Sequence, residues 1–346
     1  GLIRNFRRLC WLIPYLYGAS PALCGSFLKG KQHALPFKKV GKGTVYMPYA
    51  TSLRMSDLGY TSAEQSSLKI CYTKLDNYVT LLRDAMNTPS SRFSQFAAGE
   101  EGNYQQLSRN IIQIENELYS PIRPKQPTQS MEKPTDALVR RGISYIEVRA
   151  LDVNPFSAIG ISQTQFDFLD VFLVACLLMP SAELDEAQLK EAKENMNKVV
   201  LEGRNPDLLL QNGGENISLP NWCASLFKSF EQAAELLDLA NDTSRYTQAV
   251  NVEAEKVADP ALTPSGKLLA TLLESDKDNG VLGLELAQAY QAEMKSFEYT
   301  DTDAAGFAAQ ADVSFAAQKE IEAADVKDFD TFIRDYFAEA PAKKNA

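Results

Sequence analysis

The sequence predicts an α+β fold with a mixed first part and a helical second part, and three observations carry that prediction. Ile143 to Leu151 alternates with a two-residue period, the pattern of a half-buried strand. Ser62-Ala-Glu-Gln65 and Ser162-Gln-Thr-Gln165 are capping boxes ahead of apolar residues at helical spacing. From about residue 161 onward, helical periodicity dominates to the C-terminus. The spacing therefore divides the chain into an α+β part over 1–160 and an all-helical lobe over 161–346.

In chain order, Leu2, Phe6, Leu9/Cys10 and Ile13 recur at helical spacing, with Arg4, Arg7 and Arg8 on the other face. A basic stretch before an apolar one also has the look of a secretory leader, but Pro14, Tyr15 and Tyr17 interrupt the apolar run. With Gly1 in place of Met and no capping residue, the pattern reads as a helix entered partway, in a chain truncated at its N-terminus. Gly41-Lys-Gly43 predicts a hairpin turn. The first capping box predicts a helix carrying Leu68, Tyr72, Leu75, Val79, Leu82 and Met86 on one side and stopped by Pro89. Ser91 to Gln106 is polar, with Gly99 and Gly102, and reads as a loop. Ile111 to Tyr119 alternates like a strand. Four prolines between Ser120 and Asp136 mark a long irregular segment of the kind that often borders a site. Ile143–Leu151 then ends at Asp152-Val-Asn-Pro155. Further helices are expected over 163–179, 183–202 with Gly203 closing the end, 222–240, 265–275, 281–297 and 304–338. The tail from Glu298 to Ala346 is Ala-rich, with eleven acids and five bases, and reads as a solvated helical surface.

Composition narrows the chemistry. The 346 residues carry a formal net charge of −10, which argues against a generic nucleic-acid binder, although residues 1–54 hold nine Lys/Arg and no acid. The single histidine, His33, leaves little room for a serine triad or a His-rich zinc site. Any metal is then held by oxygen, which favours Mg²⁺, Mn²⁺ or Ca²⁺. Five scattered cysteines without a CxxC pair read as free thiols of a reducing cytoplasm. The longest apolar run, Val171 to Met179, is too short for a membrane span.

The residues that could do chemistry cluster on strand patterns. In Ile143–Leu151, Tyr145, Glu147 and Arg149 share one face, and Ile146, Val148 and Ala150 share the other. A carboxylate and a guanidinium side by side suit a nucleotide site, since Glu is a hard ligand for Mg²⁺ and Arg grips phosphoryl oxygens. The same pair also occurs on hydrated strand faces. In Ile111–Tyr119, the alternation puts Glu115, Glu117 and Tyr119 on one face and Asn116 with the aliphatic residues on the other. Arg123 and Lys125 follow on the proline-bearing segment and could supply compensating charge. Arg54, Ser56, Asp57 and Tyr60 meet in a turn-rich stretch, either as a carboxylate grip or as a turn closed by an Asp57–Arg54 contact. There is neither a P-loop nor a dinucleotide fingerprint.

Taken together, IPYLYGASPALCGSFL (Ile13–Leu28), YMPYATSLRMSDLGY (Tyr46–Tyr60), QIENELYSPIRPK (Gln113–Lys125), DALVRRGISYIEVRALDVNPFS (Asp136–Ser157) and VVLEGRNP (Val199–Pro206) resemble the glutamate–cysteine ligase family of proteobacterial type. The resemblance implies a glutamine-synthetase-like catalytic fold with an antiparallel sheet, incomplete at the N-terminus. It implies ATP-dependent joining of the L-glutamate γ-carboxylate to the L-cysteine amine through a γ-glutamyl phosphate, the first step of glutathione biosynthesis. ATP with Mg²⁺ or Mn²⁺, a cytoplasmic location, and no nucleic-acid or membrane partner go with it. By the same resemblance Glu147 is a metal ligand, and Arg149 is a catalytic and phosphate-contacting residue. Arg54, Tyr60 and Tyr119 are substrate residues, while Asn116 and Lys125 lie on the nucleotide side. The family is longer at its N-terminus, so this chain alone is expected to be inactive. The alternatives are a related ligase with another amine acceptor, or a non-catalytic homologue.

Overall fold

The computed structural model describes residues 1–30, 33–60, 62, 64–68, 70–100, 102–299 and 303–338. Helices α1 (Leu2–Leu9) and α2 (Leu12–Tyr17) open the chain, followed by strands β1 (Ala22–Cys24), β2 (Lys38–Val40) and β3 (Thr44–Tyr46). These three strands form an antiparallel sheet in the order β1-β3-β2. Its hairpin turns at Gly41-Lys42-Gly43 as expected, with Gly41 at a φ of +60°, a region a side chain would disfavour. Asp278 caps that turn, accepting from the Gly43 amide at 2.7 Å and the Thr44 hydroxyl at 2.9 Å.

Helix α3 (Leu75–Met86) follows, then the small hairpin of β4 (Ala98–Glu100) and β5 (Asn103–Tyr104) inside the expected loop. Strand β6 (Ile122–Lys125), helix α4 (Pro134–Arg141) and strand β7 (Tyr145–Val148) complete the mixed part. The α+β class expected from the sequence is the class observed.

Two expectations fail in this part. The helix foreseen from Ser62 begins only at Leu75, preceded by a 3-10 turn over Glu64–Ser67. The Gln65 amide is used elsewhere, donating to the Glu117 carbonyl and accepting from the Tyr119 amide, both at 2.8 Å. Of that box, Ala63 lies outside the described residues. Ile111–Tyr119 is not a strand but an irregular stretch with a 3-10 turn over Glu115–Glu117. The Glu115 carboxylate is buried and accepts from the Thr135 amide at 2.6 Å, capping the N-terminus of α4 from outside the helix. That contact turns the side chain inward, where an alternating strand would have sent it to the charged face.

Beyond residue 160 come α5 (Gln163–Leu178), α6 (Glu186–Glu202), the hairpin β8 (Leu209–Asn212) and β9 (Glu215–Ser218), α7 (Leu219–Asn241), α8 (Arg245–Ala258), α9 (Pro264–Ser275), α10 (Asn279–Lys295), α11 (Ala304–Ala324) and α12 (Phe329–Phe337). The capping box at Ser162 forms in full, with reciprocal bonds of 3.2 Å to Gln165. The stretch expected to be all-helical thus carries one hairpin. Its turn, Gly213-Gly214 after Asn212, has both glycines at positive φ, the chemistry of a two-residue hairpin. The expected helix over 304–338 breaks at Asp325–Asp328. Residues 339–346 of the acidic tail lie outside the described residues.

The main core runs across the expected division at 160. Phe6, Trp11, Ile122 and Ala150 pack in one cluster with Phe168, Phe172, Trp222 and Phe230. The Trp11 and Trp222 rings lie 4.9 Å apart. The boundary is a change of pattern, not a gap in packing. A second cluster under α3 and α4 joins Tyr78, Val79, Leu82, Ile112, Leu118 and Leu138. No helix among the described residues is long and apolar enough to cross a membrane, and all five cysteines are unpaired.

Phe172 is fully buried between Phe6 and Phe230. Phe172→Ala should cost about 3–5 kcal/mol in urea unfolding, as deleting a buried aromatic ring does. A loss below about 1 kcal/mol would mean that the shared core is not what holds the two parts together.

Candidate active site

The site is built on the antiparallel β6–β7 ladder, in which Arg123 faces Glu147 and Lys125 faces Tyr145. Pairing continues one residue beyond the strand, the Arg149 amide donating to the Pro121 carbonyl at 2.9 Å. Pro124 fits because the ribbon has only two strands, and an edge position tolerates the missing N–H. As expected from the alternation, Ile146, Val148 and Ala150 pack on the main core. Glu147 and Arg149 share the opposite face.

On that face the charges interlock. The Arg149 guanidinium reaches both Glu147 oxygens at 2.9 and 3.0 Å, and the Lys125 ammonium lies 3.5 Å from Oε2. Burial alone would raise the Glu147 pKa. The Arg149 hydrogen bond and the charges of Arg149, Lys125 and Arg123 overcome it and hold the carboxyl below its ordinary value. A second Arg149 nitrogen donates to the Tyr60 hydroxyl at 3.0 Å. Burial works against the Arg149 charge, yet Tyr60 and Glu147 outweigh it and raise its pKa. The Tyr60 and Tyr119 rings meet at 4.8 Å.

Tyr60, Gln65, Asn116, Tyr119, Arg123 and Arg149 line a hollow of about 300 Å³, the size of a small amino acid or one end of a larger ligand. The structure thus brings together Tyr60, Tyr119, Asn116, Glu147, Arg149 and Lys125. Arg54 stands behind this group. Its Nε donates to Asp152 at 2.6 Å, and a further nitrogen donates to the carbonyls of Leu151 and Arg149 at 2.6 and 3.3 Å. Asp152, not Asp57, is its partner. The buried Asp152 also accepts from the Ala19 amide and the Ser20 and Ser52 hydroxyls, so one carboxylate ties α2, the Ser52 turn and the end of β7 together. The loop then brings Tyr60 back so that its amide reaches the Arg54 carbonyl.

Arg123, expected from the sequence to supply charge beside the acids, lines the hollow. Two features escaped the sequence. Gly59 is required because a Cβ there would overlap the Arg54 carbonyl; the Leu-Gly-Tyr triplet signals a turn, but not this close approach. Gln65 fastens the Glu115–Tyr119 turn, a contact that no local pattern announces.

Glu147 is a hard oxygen donor of the kind Mg²⁺ or Mn²⁺ takes. Among the described residues, however, no group of three or more His, Cys, Asp or Glu could hold a metal. One carboxylate, already ion-paired, falls short of a cage.

A mixed α+β chain with a charged two-stranded ladder opening on a tyrosine-lined hollow defines a small-molecule site without a P-loop. The comparisons narrow this further. The family model for glutamate–cysteine ligase matches residues 1–199, and the chain belongs to that family. It is 48% identical to the glutamate–cysteine ligase of Shewanella oneidensis over 343 residues, covering 99% of this chain and 65% of that protein. The Vibrio vulnificus glutamate–cysteine ligase is 45% identical over 340 residues, 98% of this chain and 64% of the relative. The chain therefore spans about two thirds of the length of these curated relatives. Among solved structures, glutamate–cysteine ligase from Francisella tularensis in complex with AMP superposes with a TM-score of 0.87 at 34% identity, over 97% of this chain and 66% of that one. A bifunctional glutathione synthetase from Pasteurella multocida shares the fold, with a TM-score of 0.59 at 22% identity, over 84% of this chain and 32% of that one.

Gly59→Ala should displace Tyr60 from Arg149, disturbing the main core only at its edge, where Tyr60 packs. We expect thermal unfolding to fall by no more than a few degrees, while affinity for the ligand of the hollow, measured by calorimetry, weakens about tenfold. Unchanged affinity would mean that Tyr60 does not shape the hollow.

Proposed function

We propose that this chain carries the acceptor-side and phosphoryl-side residues of an ATP-dependent ligase joining the L-glutamate γ-carboxylate to the L-cysteine amine. The observation that carries the proposal is the charged face of β7, where Arg149 is braced by Glu147 and Tyr60 at the mouth of the hollow. In the first step a γ-carboxylate oxygen of glutamate attacks the γ-phosphorus of ATP. The bond to the bridging oxygen breaks, and ADP leaves with its electron pair. In the second step the cysteine amine attacks the acyl carbon, the carbon–oxygen bond breaks, phosphate departs, and the nitrogen gives up a proton to form the amide.

Both steps move negative charge across phosphoryl oxygens, so fixed cations aimed at that charge are the main catalytic resource. Arg149 holds that place: its geometry is set by two partners before any substrate arrives, so little reorganisation is needed at the transition state. Lys125 adds a second cation on the nucleotide side, and Asn116 faces the same hollow. Tyr60 and Tyr119 close on the cysteine, presenting an apolar ring pair to the side chain and a hydroxyl to the carboxylate. Arg54 supports the substrate side by fixing the Arg149 backbone. Glu147 is proposed as one ligand of Mg²⁺ or Mn²⁺, alongside ligands the described residues do not supply; when bound, the ion would neutralise phosphate charge.

The AMP complex of the Francisella tularensis relative supports the use of an adenine nucleotide. The same reading puts the reaction early in glutathione biosynthesis, without nucleic-acid or membrane partners, and five unpaired cysteines are in keeping with a cytoplasmic site of action.

ADP release by the intact gene product with glutamate should be at least tenfold faster with cysteine than with alanine or glycine. Equal rates would point to a ligase with another acceptor, and no release with any amine to a non-catalytic homologue. Arg149→Ala should lower kcat by about 10²–10³, the scale of losing one preorganised donor, with little change in cysteine KM. A raised KM at unchanged kcat would reassign Arg149 to ground-state binding.

A further inference from the structure

Arg123 is a second guanidinium in the wall of the hollow, and its situation is unlike that of Arg149. It is 4% exposed, the most buried arginine of the site. Among the described residues, its one side-chain hydrogen bond runs from a terminal nitrogen to the Asn116 carbonyl at 3.0 Å, and its Nε–H meets no acceptor. No carboxylate among the described residues lies within ion-pair distance of it. Glu147 stands opposite across the ladder, but its oxygens are held by Arg149 and Lys125. Burial and the neighbouring Arg149 both work against the Arg123 charge, and the phenols of Tyr60 and Tyr78 with Glu147 compensate only in part.

A buried guanidinium with an orphan donor is costly in a finished protein and useful in one awaiting an anion. Three cations, Arg123, Lys125 and Arg149, gather around the carboxylate of Glu147, and Glu117 is the one further acid in the wall of the hollow. Three cations against two carboxylates leave one positive charge in excess in a confined, partly desolvated place, a setting that favours an anionic group.

We propose that Arg123 is an anion-binding residue of the hollow, its guanidinium completed only when a carboxylate or phosphoryl oxygen of a reactant arrives beside Arg149. This rests on the ligase reading above. Either source offers the same chemistry, planar or tetrahedral oxygens matched to a guanidinium. Through the Asn116 carbonyl the same side chain also anchors the turn that presents Asn116 and Tyr119, so ligand arrival and turn placement meet at one group.

The test uses Arg123→Met, which keeps the stem and volume but removes the charge, and Arg123→Lys, which keeps the charge but loses the fork. Each is assayed in the intact gene product with cysteine and with 2-aminoethanethiol, the same acceptor without its carboxylate. Arg123→Met should weaken ligation of cysteine by roughly 10- to 100-fold, the loss of one charge-assisted bond. Its melting temperature should stay level or rise, because an unsatisfied buried cation has gone. Arg123→Lys should recover part of the activity. If the anion is the acceptor carboxylate, the loss appears in the KM for cysteine, and 2-aminoethanethiol is unaffected. If it is the phosphoryl group, kcat falls equally with both. Activity within twofold of wild type for Arg123→Met, or a loss matched by a fall in melting temperature, would overturn the proposal. Wild-type protein that fails to ligate cysteine is a separate result, and it removes the ligase reading itself.

Discussion

The antiparallel pairing of Ile122–Lys125 with Tyr145–Val148 is the constraint on which the site depends. A two-residue side-chain period means that one register puts Ile146, Val148 and Ala150 on the core and Glu147 with Arg149 on the charged face, where Arg149 lines the hollow, and a slip of one residue would exchange the two sets. The slip is prevented from both directions. The apolar set is buried against the aromatic cluster of Phe6, Phe168 and Trp222. Beyond the strand, Arg54, itself held by Asp152, donates to the carbonyls of Arg149 and Leu151. Charge placement in the site is thus a consequence of hydrophobic burial some ångströms away.

The electrostatics follow from that placement. Ordinary surface ion pairs contribute little because water screens both partners. Here Glu147 and Arg149 are about one third and one quarter exposed and share a third partner in Lys125. The pair is therefore better read as a device for orientation than as a source of stability. Glu147 fixes one edge of the Arg149 fork, Tyr60 fixes another, and the face that remains is directed at the hollow. By contrast, Glu115, close in sequence, is withdrawn from the chemistry altogether, since its carboxylate satisfies the first turn of α4. Two acids two residues apart from one turn, Glu115 and Glu117, so have unrelated duties, one as a helix cap and one facing the hollow.

Much of the site was legible in the residues. The alternation of Ile143–Leu151 correctly separated a core face from a charged face, because a strand half buried on one side leaves that signature wherever it occurs. The Ser162 box and the Gly41-Lys-Gly43 turn were equally plain, each being local chemistry, although the Asp278 that caps the turn comes from far along the chain. What was hidden depended on distant partners. The true companion of β7 lies in the proline-bearing segment, which reads as irregular because only an edge position excuses Pro124. Ile111–Tyr119 alternates like a strand, but the bonds that shape its turn include those to Gln65 and Thr135, more than fifteen residues away in either direction. Arg54 next to Asp57 suggested a neighbourly contact, and the fold gave it Asp152 instead. The hairpin at Gly213-Gly214 carried an evident turn signal inside a stretch whose helical period drew attention away from it.

The central claim is that Tyr60 and Arg149 act as one unit, held together by the ladder and its clamp. A double-mutant cycle on kcat/KM for cysteine, using Tyr60→Phe and Arg149→Ala in the intact gene product, addresses it most directly. A shared role predicts that the two losses fall short of additivity by about 1–3 kcal/mol, because removing either partner already dismantles the arrangement. Losses that add to within about 0.5 kcal/mol would show that the two side chains work independently, and would contradict the account.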